Sequence, residues 1–254
     1  MTYSNAMKVN KLVSHRGDNT HYPENSLAGI ESALKAGALN IEFDIQMNAD
    51  GSLIALHDSN FRRTSNNHSS VFTTTDAELK KISAHEPQRF SDTHMPTPIP
   101  SLDKVMSLIQ QYPKATAFIE LKEQSIKHWG LIKVMKELAQ VLIHHQAQSV
   151  LISFNYDAIK FAKERCKVRT GLVCKSYNQA TQKIALQLSP DFLICSYDLI
   201  TEEALWEGSW KWMIYVINDI EVAIPLLKRD DIDYIETDDI RSFLKEPLIN
   251  SVII

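Results

Sequence analysis

The sequence predicts an α/β protein in which eight parallel strands close into a (β/α)8 TIM barrel. Short apolar runs of strand length alternate with helical stretches along most of the chain. This alternation is typical of a parallel sheet with helices packed outside it. The length of 254 residues and the hydrophobic fraction of 44% suit one barrel domain. We therefore expect a single domain over residues 1–254.

Nine apolar runs are predicted as strands: Leu12–Ser14, Asn40–Met47, Leu53–Leu56, Thr116–Leu121, Val150–Ser153, Val168–Val173, Phe192–Cys195, Met213–Ile217 and Asp233–Glu236. A closed barrel of this class needs eight. Asp50-Gly51 separates the second run from the third, and Asp-Gly between apolar runs is typical of a β-hairpin turn. We interpret the third run as the antiparallel arm of a hairpin, which leaves eight parallel strands.

Helices are predicted between the strands at Ser26–Ala36, Trp129–His144, Asp157–Cys166, Thr201–Glu207 and Ile220–Lys228. Asn25 or Ser26 can cap the start of the first of these, and a glycine, Gly37, directly follows its end. Residues 59–100 break the rhythm, since they are polar and contain only a short helical piece at Asp76–Ile82. A connection of that length in a compact barrel is uncommon and often functional, so we expect an insertion at about 59–100.

The composition excludes several classes of protein. The net charge of −4, without a basic stripe, argues against a nucleic-acid-binding surface. No apolar run is long enough to span a bilayer, and Met1–Asn10 contains no stretch of signal-peptide length,. We therefore expect a cytoplasmic protein without stable membrane association, whose oligomeric state, monomer or dimer, stays open.

Three carboxylates interrupt predicted apolar strands. Glu42 and Asp44 lie two positions apart, so they share one face of their strand. Glu120 occupies a similar position in a later strand and is followed two positions on by Lys122. Buried acids repel one another, and a divalent cation relieves the cost. Oxygen ligands favour Mg²⁺ or Ca²⁺; the alternatives are a solvated strand face and a buried Glu–Lys ion pair.

Two histidines are candidates for proton transfer near neutral pH. His15, with Arg16 after it, directly follows the first predicted strand, at the end where barrel active sites lie. His57 follows the hairpin's second arm. A two-residue turn would place His57 opposite Asp44, and a four-residue loop would place it opposite Glu42. Either register brings the second histidine beside the acids.

Together these motifs resemble the glycerophosphodiester phosphodiesterase family. The matching segments are His15-Arg16-Gly17, Pro23-Glu24-Asn25-Ser26, Glu42-Phe43-Asp44-Ile45, His57-Asp58, Ile99-Pro100-Ser101-Leu102 and Glu120-Leu121-Lys122. Their order and spacing cover most of the first half of the chain, and weaker matches continue to Asp238. The resemblance implies a (β/α)8 barrel with an insertion after the second histidine, and hydrolysis of glycerophosphodiesters to glycerol 3-phosphate and an alcohol.

The resemblance also implies roles for these residues: metal ligands Glu42, Asp44 and Glu120; general acid and base His15 and His57; phosphate-binding residues Arg16 and Lys122. Glu24 would orient His15 or support the metal site. The motifs leave open whether the cation is Mg²⁺ or Ca²⁺, which histidine begins as base, and whether water or the substrate's own 2-hydroxyl is the nucleophile.

The chain departs from the family pattern at two late strands. Tyr215 stands where the family usually has tryptophan, which bears on alcohol specificity, and Asn218 at the end of that segment is a further candidate. Glu236 stands where the family tends to have isoleucine; an extra acid there either repels an anionic substrate or reaches the cation. The alternative functions are a lysophospholipase D and a non-catalytic barrel that binds a metal or a phosphorylated ligand.

Overall fold

The computed structural model describes residues 11–252, and within them one sheet of nine strands closes into a barrel. The strands are β1 (Leu12–Ser14), β2 (Asn40–Met47), β3 (Leu53–Ala55), β4 (Thr116–Leu121), β5 (Ser149–Ser153), β6 (Arg169–Val173), β7 (Phe192–Ser196), β8 (Lys211–Tyr215) and β9 (Tyr234–Thr237). Eight pair in parallel around a ring that closes where β1 pairs with both β9 and β2. Only β3 is antiparallel, to β2. The predicted barrel and the antiparallel hairpin arm are confirmed.

The α-helices between Lys11 and Val252 are α1 (Leu27–Ala36), α2 (Arg62–Ser65), α3 (Asp76–Leu79), α4 (Pro87–Phe90), α5 (Leu102–Gln110), α6 (Glu123–Trp129), α7 (Leu131–Leu142), α8 (Tyr156–Phe161), α9 (Gln179–Leu188), α10 (Ile220–Leu227), α11 (Ile240–Lys245) and α12 (Pro247–Val252). A π-helical segment at Ala162–Cys166 extends α8, and 3-10 turns occur at Val71–Thr73, Gln146–Gln148 and Tyr197–Leu199. The side chain of Ser26 caps α1 by accepting the backbone N–H of Gly29, as its sequence predicts.

The hairpin register differs from both predicted registers. Met47 pairs with Leu53, so a five-residue loop joins the strands. The Asn48 side chain accepts a hydrogen bond from the backbone N–H of Ser52 at 2.8 Å, and this bond fixes the longer loop. His57 consequently lies beyond the end of β3 and is not paired with either acid of β2.

Two predicted helices differ from the structure, one at its ends and one entirely. Trp129–His144 is confirmed as α7 (Leu131–Leu142), which Gly130, with a positive φ of 82°, separates from α6. Thr201–Glu207 is not helical, because backbone carbonyl groups of this segment accept hydrogen bonds from a distant side chain. Arg229 donates to the carbonyl oxygens of Thr201 and Glu203 at 3.0 and 2.8 Å. These tertiary bonds override the local helical pattern.

Strand β8 begins two residues earlier than predicted, because Lys211 already donates its backbone N–H to the carbonyl of Asp191 at 2.9 Å. It ends at Tyr215 rather than Ile217. The remaining strand predictions agree with the structure to within one residue at each end.

A layer of aromatic rings fills the lower part of the barrel interior. Phe118, Phe192 and Tyr234 belong to the inner apolar cluster, and their ring centroids lie 5.0 to 6.1 Å apart. The barrel is therefore packed at this level. The charged side chains that line the cavity lie at the upper end, where the strands reach their carboxyl termini.

The insertion between β3 and α5 contains α2, α3 and α4 and has its own small core, which includes Phe61, Val71 and Leu79. It is joined to the barrel near the mouth, where the Glu86 carboxylate accepts the backbone N–H of Glu24 at 2.8 Å. The insertion thus borders the end of the barrel that carries the polar side chains.

None of the helices within residues 11–252 combines the length and apolar character needed to cross a bilayer. The segment Met1–Asn10, in which no signal peptide is predicted, lies outside the described residues. The cytoplasmic location and the single-domain assignment over 1–254 stay predictions.

Candidate active site

A cavity of about 180 Å³ opens at the carboxyl ends of the barrel strands. Its charged or polar lining comes from His15, Arg16, Glu42, His57, Glu120, Lys122, Tyr215 and Glu236, and its apolar lining from Ile152, Phe154, Val173, Ile194 and Val216. The sequence-predicted histidines, phosphate-binding residues and two of the three metal ligands therefore line one cavity. This is the end of the barrel at which active sites are expected. A larger surface hollow of about 570 Å³ near Tyr197 and Arg229 lacks these groups.

The three predicted metal ligands lie together. Glu42, Asp44 and Glu120 each offer an oxygen atom within 4.8 Å of the others. Burial, followed by the negative charge of Asp44, raises the pKa of Glu42 well above its usual value. The same two causes raise the pKa of Glu120. One oxygen of Glu42 is buried without a hydrogen-bond partner. The group thus has the crowded negative charge that a bound cation would relieve.

Two cationic side chains balance part of this charge. The Lys122 ammonium group lies 2.7 Å from Glu120 and 3.2 Å from Asp44. Arg16 lies 3.0 Å from Asp44 through Nε. Burial alone would raise the pKa of Asp44, but the positive charges of Arg16 and Lys122 outweigh it and lower that pKa. Asp44 is therefore ionised in the folded protein over the whole neutral range.

Glu24 binds the arginines of the mouth. Arg63 donates to both of its oxygens, at 2.6 and 2.7 Å, and Arg16 donates to it at 3.2 Å. This bidentate contact fixes the Glu24 carboxylate, which in turn orients Arg16. No hydrogen bond or ion pair joins Glu24 to His15 within residues 11–252. The partner of His15 is Asp238 instead.

The ring of His15 is hydrogen-bonded to Asp238 on the side away from the cavity. The Nδ1 atom of His15 lies 2.7 Å from the Asp238 carboxylate, while its Nε2 atom lies 4.0 Å from Glu42. Burial alone would lower the pKa of His15, but the negative charge of Glu236 and the hydrogen bond to Asp238 raise it above its ordinary value. The aspartate fixes the ring so that Nε2 faces the cavity.

His57, which also lines the cavity, has a similar arrangement. Its Nδ1 atom lies 2.6 Å from Asp58, and Arg63 donates to the other oxygen of Asp58 at 2.9 Å. The hydrogen bond from His57 is the largest cause that lowers the pKa of Asp58, to about 2. Each candidate acid–base histidine therefore has its own ionised aspartate, an arrangement that selects one tautomer.

The sequence analysis did not include Asp238 among the site residues and named Asn218 only as a further candidate. Asn218 is absent from the cavity lining; its side chain instead donates to Asp238 at 2.7 Å. Asn19 donates to Asp238 at 2.8 Å and accepts from Arg89 of the insertion at 2.7 Å. A chain of hydrogen bonds therefore runs from the insertion to His15. Asp238 ends the Glu-Thr-Asp run, and only its position after the last strand hinted at this role.

Asn25 is a second residue that motif reasoning named but did not assign. Its side chain donates to an Asp44 oxygen at 3.1 Å and accepts the Asp44 backbone N–H at 3.0 Å. This pair of bonds locks the rotamer of the acid and leaves its other oxygen to Lys122. The signal was present in the Pro-Glu-Asn-Ser motif, but spacing alone did not connect it with β2.

The two residues that depart from the family pattern both line the cavity. Tyr215 is half-buried at the end of β8, and burial raises its pKa. Glu236 of β9 is 4% exposed, and one of its oxygens has no hydrogen-bond partner. Burial raises the pKa of Glu236 to about 7, although the positive charge of His15 opposes this.

Comparison with known proteins identifies the family of this chain. The model of the glycerophosphoryl diester phosphodiesterase family matches residues 15–211. A glycerophosphodiester phosphodiesterase from Caldanaerobacter subterraneus subsp. tengcongensis is 29% identical over 95% of this chain and 97% of that protein. One from Bacillus altitudinis is 35% identical over 57% of this chain and 58% of that protein.

A similar fold occurs in a phosphodiesterase from Oleispira antarctica, solved in complex with the product sn-glycerol-3-phosphate. It has a TM-score of 0.81 at 23% identity, and the match covers 96% of both chains. At this identity the similarity bears on the fold alone, and it supports the closed eight-stranded barrel. The family model spans well over half of the chain, so the chain belongs to the glycerophosphoryl diester phosphodiesterase family, a family of phosphoric diester hydrolases.

Proposed function

We propose that this enzyme hydrolyses small glycerophosphodiesters to glycerol 3-phosphate and an alcohol, with a divalent cation and two histidines. The observation that carries the proposal is the meeting of a buried three-carboxylate cluster with two histidine–aspartate pairs at one cavity. The family membership and the product named for the Oleispira antarctica structure support the same reaction.

Glu42, Asp44 and Glu120 would hold the cation. The set consists of oxygen donors only, which suits Mg²⁺ or Ca²⁺ better than softer metals. The unpartnered oxygen of Glu42 and the raised pKa of both glutamates fit a site that binds a positive charge. When bound, such a cation supplies charge neutralisation for the phosphoryl oxygens.

Arg16 and Lys122 would bind the phosphate group. Both line the cavity and both are held in place by carboxylates, Arg16 by Glu24 and Lys122 by Glu120. A phosphodiester is an anion, so fixed cations in a water-poor cavity stabilise the charge that grows on it during substitution. Burial would lower the pKa of Lys122, but Asp44 and Glu120 raise it, which keeps the ammonium group charged.

His15 and His57 would move the protons. Each ring is hydrogen-bonded through Nδ1 to an aspartate, so Nε2 is the atom that exchanges a proton with the substrate. One histidine accepts the proton of the nucleophile, which is water or the substrate's 2-hydroxyl, and the other donates to the departing alcohol oxygen. Proton transfer of this kind contributes about 10²–10⁴-fold in rate.

The cavity size favours a small substrate over a lysophospholipid. Its volume of about 180 Å³ is below the roughly 300–1,000 Å³ that is usual for drug-sized ligands. Four apolar side chains, Ile152, Phe154, Val173 and Ile194, line one side and are the feature that a lysophospholipase D would use. A non-catalytic barrel would not need two histidines that are each paired with an aspartate.

The test is turnover by EDTA-treated protein of glycerophosphocholine, glycerophosphoethanolamine and lysophosphatidylcholine, before and after addition of Mg²⁺ or Ca²⁺. We expect cation-dependent release of glycerol 3-phosphate from the first two. Glu42→Gln should raise the cation concentration needed for half-maximal rate, whereas Glu31→Gln, on the surface of α1, should not. Cleavage of the lysophospholipid alone would instead favour the lysophospholipase D, and folded protein inactive on all three would favour the non-catalytic barrel.

A further inference from the structure

Glu236 is a buried acid that the proposed reaction does not use. It lies in β9, where it pairs with Val13 of β1, and it faces the barrel interior like Tyr234 two residues before it. The Glu236 side chain lines the cavity at the carboxyl end of the sheet, above the layer of aromatic rings.

One oxygen of Glu236, Oε1, is fully buried and has no hydrogen-bond partner among the described residues. Glu42 also has an unpartnered buried oxygen, but it belongs to the proposed cation site. The other acids outside that site are satisfied, Glu24 by Arg63 and Asp238 by His15. A buried polar atom without a partner is destabilising, so such groups are rare unless a ligand completes them. Because Glu236 lines the cavity, a molecule bound there can supply the missing donor.

The position of Glu236 indicates which part of the substrate it meets. The three clustered carboxylates belong to β2 and β4, and Lys122 lies beside them. Glu236 is not part of this cluster. In the ring of strands β9 is separated from β2 by β1 and lies next to β8. Glu236 therefore borders the side of the cavity away from Lys122, between His15 and Tyr215.

A carboxyl oxygen in this position repels a phosphate oxygen but accepts a hydrogen bond from a hydroxyl group. The part of the cavity lining formed by Val173 and Ile194 is apolar. These side chains offer no acceptor that would compete with Glu236 for the hydroxyl group. The cavity has room for a phosphate with a short polyol attached.

We propose that Glu236 is a specificity-determining residue that accepts a hydrogen bond from a hydroxyl of the glycerol moiety. This inference rests on the proposed function and narrows it. The site selects phosphodiesters with a free glyceryl hydroxyl over those with a plain alkyl group. A site built around such a hydrogen bond rejects an analogue that lacks the hydroxyl, because its acceptor is left unpaired.

The experiment measures binding, by calorimetry at saturating Mg²⁺, of glycerol 3-phosphate and of 1-propyl phosphate, which lacks both hydroxyls. The proteins are the unaltered chain, Glu236→Ile and Glu236→Gln. Glu123→Gln is the control, since Glu123 is an acid of the mouth that pairs with Lys175 outside the cavity lining. Thermal melts verify that each variant is folded.

We expect the unaltered chain and the Glu123→Gln control to bind glycerol 3-phosphate about 10- to 150-fold more tightly than propyl phosphate, the range expected for one hydrogen bond to a charged group. Glu236→Ile should lose this preference by weakening only the glycerol 3-phosphate complex. Glu236→Gln should keep part of it, because the amide oxygen still accepts.

Three outcomes would overturn the inference: no preference in the unaltered chain, an unchanged preference in Glu236→Ile, or an equal loss for both ligands together with weaker Mg²⁺ binding, which would make Glu236 part of the cation site. Failure of the proposed function is a separate result. It would appear as absent turnover of glycerophosphocholine by the unaltered chain, whichever ligand binds.

Discussion

Replacing Asp238 by asparagine removes the negative charge behind His15 while keeping the size of the side chain. The bond that changes is the 2.7 Å contact between His15 Nδ1 and the carboxylate, and it lies in a largely buried position. A hydrogen bond to a charged group contributes about 1.5–3 kcal/mol, and each 1.4 kcal/mol is a factor of ten in rate. We therefore expect kcat of Asp238→Asn to fall about 10- to 150-fold.

The substitution should leave binding nearly unchanged, because Asp238 contacts none of the three clustered carboxylates and neither Arg16 nor Lys122 through any hydrogen bond or ion pair between residues 11 and 252. KM for glycerophosphocholine and the cation requirement should stay within about twofold. Asp238 also raises the pKa of His15, so the limb of the pH–rate profile that requires protonated His15 should move to lower pH in the variant.

The assay is steady-state release of glycerol 3-phosphate between pH 5 and pH 9. Asp233→Asn is the matched control, since Asp233 accepts the backbone N–H of Trp212 at 2.9 Å at the opposite end of the barrel. A kcat for Asp238→Asn within threefold of the unaltered enzyme, or an equal loss in the control, would refute the role of Asp238 in orienting His15.

Three further predictions concern charge, backbone and acid stability. Lys122→Gln should raise KM about tenfold or more, because a charge-assisted phosphate contact is lost; an unchanged KM would exclude that contact. Gly17→Ala should lower the free energy of unfolding by about 2–5 kcal/mol, since its φ is +84° and a Cβ would lie 2.8 Å from backbone atoms of α1,. Gly51→Ala, with φ +86° and open space, should cost only about 1–2 kcal/mol, and equal urea midpoints for the two variants would contradict the packing argument. The hydrogen bond from His57 holds the pKa of Asp58 at about 2, so the stability that Asp58 contributes is present above its unfolded pKa of about 3.9 and is lost as the pH falls through about 2. Urea midpoints of Asp58→Asn should therefore fall less between pH 6 and pH 2 than those of the unaltered chain, and an equal fall would argue against this linkage.

The barrel and the carboxylate cluster were predictable because both depend on patterns that are local in the chain. The alternation of strands and helices needs only neighbouring segments, and the two-residue spacing of Glu42 and Asp44 places both on one face. Glu120 then joins them because parallel pairing aligns it with Asp44. The shared face of Glu42 and Asp44 follows from strand periodicity, and the position of Glu120 follows from the order of the parallel strands.

The features that were not predictable depend on long-range hydrogen bonds. The hairpin loop is longer than an Asp-Gly turn because Asn48 bonds within it, and residues 201–207 lose their helical pattern to Arg229. The pairing of His15 with Asp238 joins residues 223 positions apart. Sequence spacing does not show that the first and last strands are neighbours. They become neighbours only when β1 pairs with β9 and closes the barrel.

The aromatic layer of Phe118, Phe192 and Tyr234 has a consequence for the order of product release. Because it fills the barrel below the cavity, substrate and both products share one entrance. In the proposed function Arg16 and Lys122 of the cavity lining hold the phosphate, and the alcohol would lie nearer the opening. We therefore expect the alcohol to leave before glycerol 3-phosphate. Glycerol 3-phosphate would then compete with the next substrate molecule for the same cavity and act as a competitive product inhibitor.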